Sequence, residues 1–352
     1  MTKPTRLCSS IFKIALLVAA IQGGSTALSS SIKIVPKLID QTPELHARKQ
    51  PTVPENYKEI PFTETALAPE LTVEETERGY LLFQRPIMEP VYPNTRPLEH
   101  ERLERLVAFA TPGEFEPLTF SLYPVRNLKN LKVRCSSLTC DAGEIPASEI
   151  TVRLVTYWNI GYPRYTSRDT YRRTPELLER VTVYTSPARE CQRYWIVVHT
   201  PADAKPGLYR GNVTVFDDGF DKAVQIPIAF RVLGFSLKRD PAKHNSVYYY
   251  VRNRTQYQGK PEEFIRKASA NEYQAMLDYG LDVAPTQYLQ CLDGKTFTIR
   301  NPEDLDRLVQ MGFKGPVPLA GGNAIERIYR DTTPGGERGS HWRINKMPPP
   351  EF

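Results

Sequence analysis

The chain has 352 residues, 40% hydrophobic and 24% charged, with a formal net charge of +6. That length suggests two domains, and the composition excludes a chain that is disordered or fibrous throughout. Its 31 prolines favour turns and irregular connections over long helices.

The N-terminus reads as a secretory signal. Lys3, Arg6 and Lys13 form a basic region with no acid among them, and Ile14 to Ile21 is an apolar run too short to span a bilayer. Ser25-Thr26-Ala27 supplies small residues for cleavage after Ala27, with a retained membrane anchor as the alternative. Export implies a secreted, periplasmic or cell-envelope location and no membrane association after cleavage. It also removes three positive charges and leaves +3, which weakens any case for nucleic acid as a partner.

An oxidising compartment permits disulfides. Cys135 and Cys140, spaced C-x4-C, either close a small loop or stay unpaired, because a domain of this size forms a core without staples. No second close cysteine pair exists, and His199, His244 and His341 are scattered, so no metal site is expected. No cofactor is expected either.

Residues 28–78 read as a linker. Pro36, Pro43, Pro51, Pro54, Pro61 and Pro69 recur among polar residues, leaving little apolar surface to bury. From Gly79 to Phe235 the pattern is that of strands. Tyr80–Phe83, Val107–Ala110, Phe115–Val125, Lys129–Cys135, Ile150–Trp158, Cys191–Thr200 and Val224–Val232 are apolar or alternating runs between turn residues. The clearest is Pro201 to Val215. Pro206-Gly207 makes the turn, then Tyr209, Gly211, Val213 and Val215 fall on one face, with Arg210, Asn212 and Thr214 on the other. About eight such strands predict an antiparallel, immunoglobulin-like β-sandwich over 79–235. Pro227 belongs at an edge or bulge, since it cannot donate to a ladder.

Beyond 235 the rhythm changes to β/α. Val247–Val251 reads as a strand, Lys260–Tyr279 as a helix stopped by Gly280, and Leu281–Ala284 as a strand. Tyr288–Leu292 and Thr296–Ile299 form a hairpin about Asp293-Gly294. A helix follows from Pro302 behind an Asn301 cap and ends at Gly312, and Phe313–Leu319 reads as the next strand. The 117 residues of 236–352 are fewer than the roughly 250 of a complete (β/α)8 barrel, so an incomplete barrel is expected.

Several segments resemble a set of secreted bacterial proteins in which a β-sandwich precedes a barrel, related to glycoside hydrolase family 123, the β-N-acetylgalactosaminidases. Arg85-Pro86-Ile87-Met88-Glu89-Pro90-Val91-Tyr92-Pro93-Asn94 and Pro112-Gly113-Glu114-Phe115-Glu116-Pro117-Leu118-Thr119-Phe120 carry the resemblance. Ile145-Pro146-Ala147-Ser148, Tyr157-Trp158 and Pro206-Gly207-Leu208-Tyr209-Arg210-Gly211 add to it. The resemblance implies glycan degradation by an adjacent Asp-Glu pair in the barrel, with the substrate's N-acetyl group as nucleophile. This sequence contains no Asp-Glu dipeptide. Glu262-Glu263, Glu303-Asp304 and Asp217-Asp218 sit at helix starts or in a turn, where solvated acids are common. The chain therefore reads as the N-terminal portion of a glycoside hydrolase-like protein, truncated, with no catalytic residues of its own. The alternative is a non-catalytic carbohydrate-binding or scaffold module of the cell envelope.

Two candidate glycan surfaces remain. Asn323, Arg330, His341 and Trp342 lie in the loop after the third β/α strand, where barrel sites form, against the simpler reading of a Gly-rich tail. Arg164, Arg168, Arg172 and Arg173 interleave with Tyr162, Tyr165 and Tyr171 in a basic aromatic loop, against the simpler reading of a solvated loop. The oligomeric state is not legible in the sequence.

Overall fold

The computed structural model describes residues 52–164, 169–181, 183–238, 240–247, 260–291, 296–299 and 302–320. The described residues divide into two compact units, 52–240 forming one and 241–320 the other.

The first unit is built almost entirely of strands: β1 (Lys58–Glu59), β2 (Tyr80–Phe83), β3 (Leu106–Ala110), β4 (Phe115–Pro124) and β5 (Leu128–Cys135). Next come β6 (Leu138–Cys140), β7 (Gly143–Ile145), β8 (Ile150–Gly161), β9 (Thr170–Glu179) and β10 (Tyr184–Ser186). The last three are β11 (Gln192–His199), β12 (Gly207–Asp217) and β13 (Phe220–Val232). They form two sheets, β1-β9-β8-β11-β4-β2 and β10-β5-β12-β13-β3, with β6 pairing β12 and β7 pairing β6.

One apolar cluster fills the space between the sheets. The first sheet contributes Leu118, Phe120 and Leu122 from β4, Leu154 from β8 and Tyr194, Ile196 and Val198 from β11. The second contributes Leu131, Tyr209, Val213, Val215, Ile226, Ile228 and Phe230. On β12 the residues facing the core are those the alternation picks out, because a strand with one face buried must repeat every second residue. Gly211 shares that face for a different reason. A Cβ there would meet Leu138 Cδ2 at 2.6 Å and the Ser137 carbonyl at 2.7 Å, where the β5–β6 connection crosses β12.

Three features differ from the sequence expectation. The pairing is not wholly antiparallel, since β1–β9 and β3–β13 are parallel. Segment 170–179, whose Tyr171, Arg172 and Arg173 were expected in a basic loop, is a ten-residue strand. Its alternation is hidden by Arg172-Arg173 and by Pro175, and by one extra residue, Glu176, where Leu177 and Pro175 stand opposite the adjacent Thr156 and Tyr157 of β8. The third difference is order within 52–78. There β1 pairs β9, and helix α1 (Val73–Arg78) is closed at both ends. Thr72 and Glu75 form a reciprocal capping box, and Gly79 at φ +83° ends the helix. Low apolar content did not leave this stretch loose, because its backbone is held by side chains distant in sequence.

Pro227 sits in β13, which has neighbours on both sides in the sheet. Its pairing with β3 begins only at Ile228, so the strand is locally an edge at the proline. Cys135, Cys140 and Cys191 are free thiols. Cys135 lies opposite Val213 and Thr139 opposite Arg210 on β12. Three residues of strand is about 10 Å, and Cys140 lies one residue beyond, too far for a bridge that needs Cα atoms within about 7 Å.

In the second unit, α2 (Glu262–Asp278) and α3 (Pro302–Met311) pack through Tyr273, Met276, Leu308 and Phe313. Tyr273 meets Phe313 edge-on, with centroids 6.2 Å apart. Both helices stop alike. After α2, Gly280 donates to the Leu277 carbonyl and Leu281 to that of Met276; after α3, Gly312 donates to Val309 and Phe313 to Leu308. Each is a glycine-centred Schellman motif, as the stop glycines predict, with φ of +79° and +112°.

The strands here are β14 (Gln287–Cys291), β15 (Phe297–Ile299) and β16 (Leu319–Ala320), in the order β15-β14-β16. The expected hairpin is present as β14–β15, its turn lying outside the described residues. β14, α3 and β16 make one parallel crossover, so the described residues contain one β/α unit rather than a recognisable part of a barrel. Leu281–Ala284 is not a strand. Asp282 and Val283 both donate to the Asn245 carbonyl, which a regular ladder does not allow. Phe313–Leu319 forms strand only at its end, because Pro316 and Pro318 have no N–H to give. Of the expected strand 247–251, only Val247 is described, as irregular chain. No helix among the described residues is long and apolar enough to cross a membrane, and the expected signal segment lies outside them.

Candidate functional site

Asn323, Arg330, His341 and Trp342 lie outside the described residues, as do Tyr165 and Arg168 of the basic aromatic loop. The remainder of that loop is brought together at the turn between β8 and β9, but its charges are spent internally. Arg172 donates through Nε to the Ile60 carbonyl at 3.0 Å, and its guanidinium lies 3.6 Å from the centre of the Tyr162 ring. On its other side Tyr92 stacks on Phe62 at 4.5 Å. Arg172 thus clamps residues 60–62 against the sheet. Arg173 forms a two-pronged pair with Glu190 at 2.7 and 2.8 Å. That hydrogen bonding holds the Glu190 carboxyl below the ordinary carboxylate range. Arg164 reaches Glu176 at 3.4 Å. The described part of the loop is a fastening, and offers a glycan little free charge.

The structure shows a different concavity that sequence reading missed. A groove of about 330 Å³ is lined by Gln84–Ile87, Val107, Ala108 and Glu116–Thr119. It follows the stretch of β4 left uncovered where β2 ends, since β2 pairs only with Ser121–Pro124. Its wall is set by two arginines. Arg85 makes a two-pronged pair with Glu101 at 2.7 and 2.9 Å. Arg193 is buried and donates to the carbonyls of Glu89 at 2.6 Å, Arg85 at 2.6 Å and Pro86 at 2.9 Å. It holds the 85–89 turn with no carboxylate as partner among the described residues. Burial, then the nearby Arg85, push its pKa down from the usual arginine value.

The open edge of β4 is protected. In an antiparallel ladder the N–H and C=O of one residue point to the same side, and alternate residues to opposite sides. Gln84 Nε2 donates to the Thr119 carbonyl at 3.1 Å on the groove side. Pro117, two residues away, presents its donor-less nitrogen to the same side. A chain seeking to add a strand meets one occupied acceptor and one missing donor.

Glu116 shares the face of Leu118, Phe120 and Leu122 and so points toward the mouth of the core. Burial, helped by the neighbouring Glu114, raises its carboxyl above the usual glutamate value. Glu114 itself accepts from the Thr111 N–H at 2.6 Å. Glu116 is the single acid lining the groove, whereas glycoside hydrolysis by paired carboxyls needs two facing one cleft. The lining of this groove does not present that pair. No cluster of three or more metal-ligating side chains occurs among the described residues.

Residues 114–217, from the start of β4 to the end of β12, match the model of the glycoside hydrolase 123 N-terminal domain. No curated protein matches the chain. Among solved structures, a family 123 glycoside hydrolase from Clostridium perfringens is 16% identical with a TM-score of 0.47, over 60% of this chain and 41% of that one. The chain thus spans less than half the length of that enzyme. The CooA pilin subunit of enterotoxigenic Escherichia coli is 12% identical with a TM-score of 0.25, over 45% of this chain and 99% of that one. A β-glucosidase from Listeria innocua, solved with glucose, is 13% identical with a TM-score of 0.18, over 44% and 16%. Over residues 114–217 the β-rich unit is thus similar to a glycoside hydrolase-associated domain. In particular, it is related to the N-terminal domain of family 123.

Proposed function

We propose that the chain is the N-terminal portion of an exported, glycan-degrading protein of the β-N-acetylgalactosaminidase type. Its two-sheet unit is an accessory domain, and catalysis belongs to a barrel of which this chain carries an incomplete part. The observation behind this reading is the family match over β4–β12, which covers strands of both sheets. The single acid in the groove and the lack of an Asp-Glu dipeptide support a chain that does not hydrolyse glycosides itself.

The test is an assay of the purified chain on an aryl N-acetyl-β-galactosaminide. No turnover above the rate in buffer is expected; turnover abolished by one carboxylate substitution would sink the reading. The alternative of a binding or scaffold module loses the Arg/Tyr loop as its contact surface, because Arg172 and Arg173 are held by the protein's own groups.

A further inference from the structure

The margins of the two sheets are finished differently. On the first, the free side of β4 is closed by Gln84 and Pro117, and that of β2 is covered. There Leu103 donates to the Leu82 carbonyl at 3.0 Å, and the Gln84 N–H to that of Glu101 at 2.7 Å. On the second sheet the margin is β3, which borders the groove through Val107 and Ala108 and pairs β13 on one side only. Leu233 donates to the Ala110 carbonyl. Backbone groups of alternate residues point to opposite sides of a strand, so Leu106, Ala108 and Ala110 serve the β13 ladder. The N–H and C=O of Val107 and Phe109 therefore point away from β13, and have no hydrogen-bond partner among the described residues.

The usual guards of an open edge are missing here. The strand reads Leu106-Val107-Ala108-Phe109-Ala110, with neither proline nor charge. Val107 and Phe109 are 60% and 64% exposed. The open row is also bounded. At one end the Thr111 N–H is taken by the Glu114 carboxylate at 2.6 Å. At the other, Leu103 is already bonded to β2. Two donors and two acceptors remain, centred on Ala108.

A second copy of β3 fits this row. With the copy turned antiparallel about an axis at Ala108, Val107 of each stands opposite Phe109 of the other, and the two pairs exchange four backbone hydrogen bonds. The same operation sets a β-branched and an aromatic side chain side by side on one face, a favourable cross-strand pair. It also sets the exposed Arg105 of each copy opposite Thr111 of the other, where the Glu114 carboxylate is held. The basic start and acidic end of the strand thus match under a two-fold axis, as an isologous contact requires. A long extended peptide would run past both bounds of the row, whereas β3 of a second copy has the same short extent.

We propose that the free edge of β3 pairs with the β3 edge of a second copy of this chain, joining two second sheets into one across a two-fold axis at Ala108. This contact does not depend on the hydrolase reading.

The experiment is sedimentation equilibrium of the full chain across micromolar concentrations. One strand from each copy makes a small interface, so a reversible dimer with Kd on the order of 10–100 µM is expected. Val107→Pro removes a donor that points outward and leaves the β13 ladder whole. It should raise Kd roughly tenfold or more, because half of the four hydrogen bonds are lost. Phe109→Ala should raise Kd a few-fold, and Arg105→Glu, which brings acid to acid, roughly tenfold. Oxidation locates the axis. Ala108→Cys should cross-link two copies, since residue 108 lies opposite its own counterpart with Cα atoms about 4.5 Å apart. Val107→Cys should cross-link no more than the parent. Thermal melting checks that each variant is folded. A chain that stays monomeric at every concentration overturns the proposal; if its Val107 and Phe109 amides also resist hydrogen exchange, a segment of the same chain occupies the edge. The proposal fails equally if a folded Val107→Pro variant dimerises like the parent, or if cross-linking favours position 107 over 108. Hydrolysis by the chain, present or absent, moves none of these readouts.

Discussion

The two sheets use arginine in opposite ways. Around the first, Arg85 and Arg173 grip carboxylates, Arg172 holds a strand and a tyrosine ring, and Arg193 is buried among carbonyls. On the outer face of the second, Arg134, Arg210 and Arg231 stand exposed without carboxylate partners among the described residues. The residue type is the same, and the difference is what crosses each face. Residues 57–66 and 85–105 bring acceptors to Arg85, Arg172 and Arg193, and Glu190 brings one to Arg173, so each guanidinium becomes a fastening. Among the described residues the outer face of the second sheet shows no such fastening.

The comparison can be broken most sharply at Arg193. Arg193→Leu leaves three backbone carbonyls without their donor, and should destabilise by about 3 kcal/mol. For a unit of this size that is roughly 6–12 °C in melting temperature. A shift under about 2 °C would show that water replaces the guanidinium without loss.

Acid is the next lever. The carboxyls of Glu101 and Glu190 lie below their usual value; for Glu101 burial pushes upward, but the Arg85 hydrogen bonds, the Leu98 N–H and the Arg85 charge together outweigh it. A carboxyl depressed in the folded state stabilises above its unfolded pKa, and that stability is lost as pH falls through the folded value. The unit should therefore melt progressively lower as pH drops below 4.5, the ordinary value for these groups. Glu101→Gln should flatten the profile, and an unchanged profile would mean Glu101 does not carry it.

Arg172→Ala should have a local effect of about 1 kcal/mol. Faster hydrogen exchange is expected at Lys58 and Ile60, whose N–H groups bond to the Asp169 and Tyr171 carbonyls. The core amides of β11 should be unaffected. The smallest effect belongs to the second sheet. The triple glutamine variant at Arg134, Arg210 and Arg231 should keep its melting temperature, with each site changing stability by about 0.5 kcal/mol at most. A large loss would mean that these arginines are fastenings too.

Much of the core was legible in the residues. Tyr209, Val213 and Val215 announce their face by strict alternation, and the glycines after α2 and α3 announce both helix ends. β9 was not legible, because Pro175 and two adjacent arginines interrupt its apolar pattern. Neither was the groove, which exists only because β2 stops short along β4. The outer face of the second sheet was half legible. Arg210, Asn212 and Thr214 can be read as outward on β12, but their neighbours Arg134 and Arg231 come from other strands.

Local sequence determined which residues alternate, where helices stop and where a ladder cannot continue, since these depend on side chains and backbone within a few positions. Tertiary structure alone decided which charges are spent. Arg172 and the Ile60 carbonyl lie 112 positions apart, and Arg126 and its partner Asp217 lie 91 apart. A guanidinium's partner is chosen by how the strands cross, and no spacing along the chain records it.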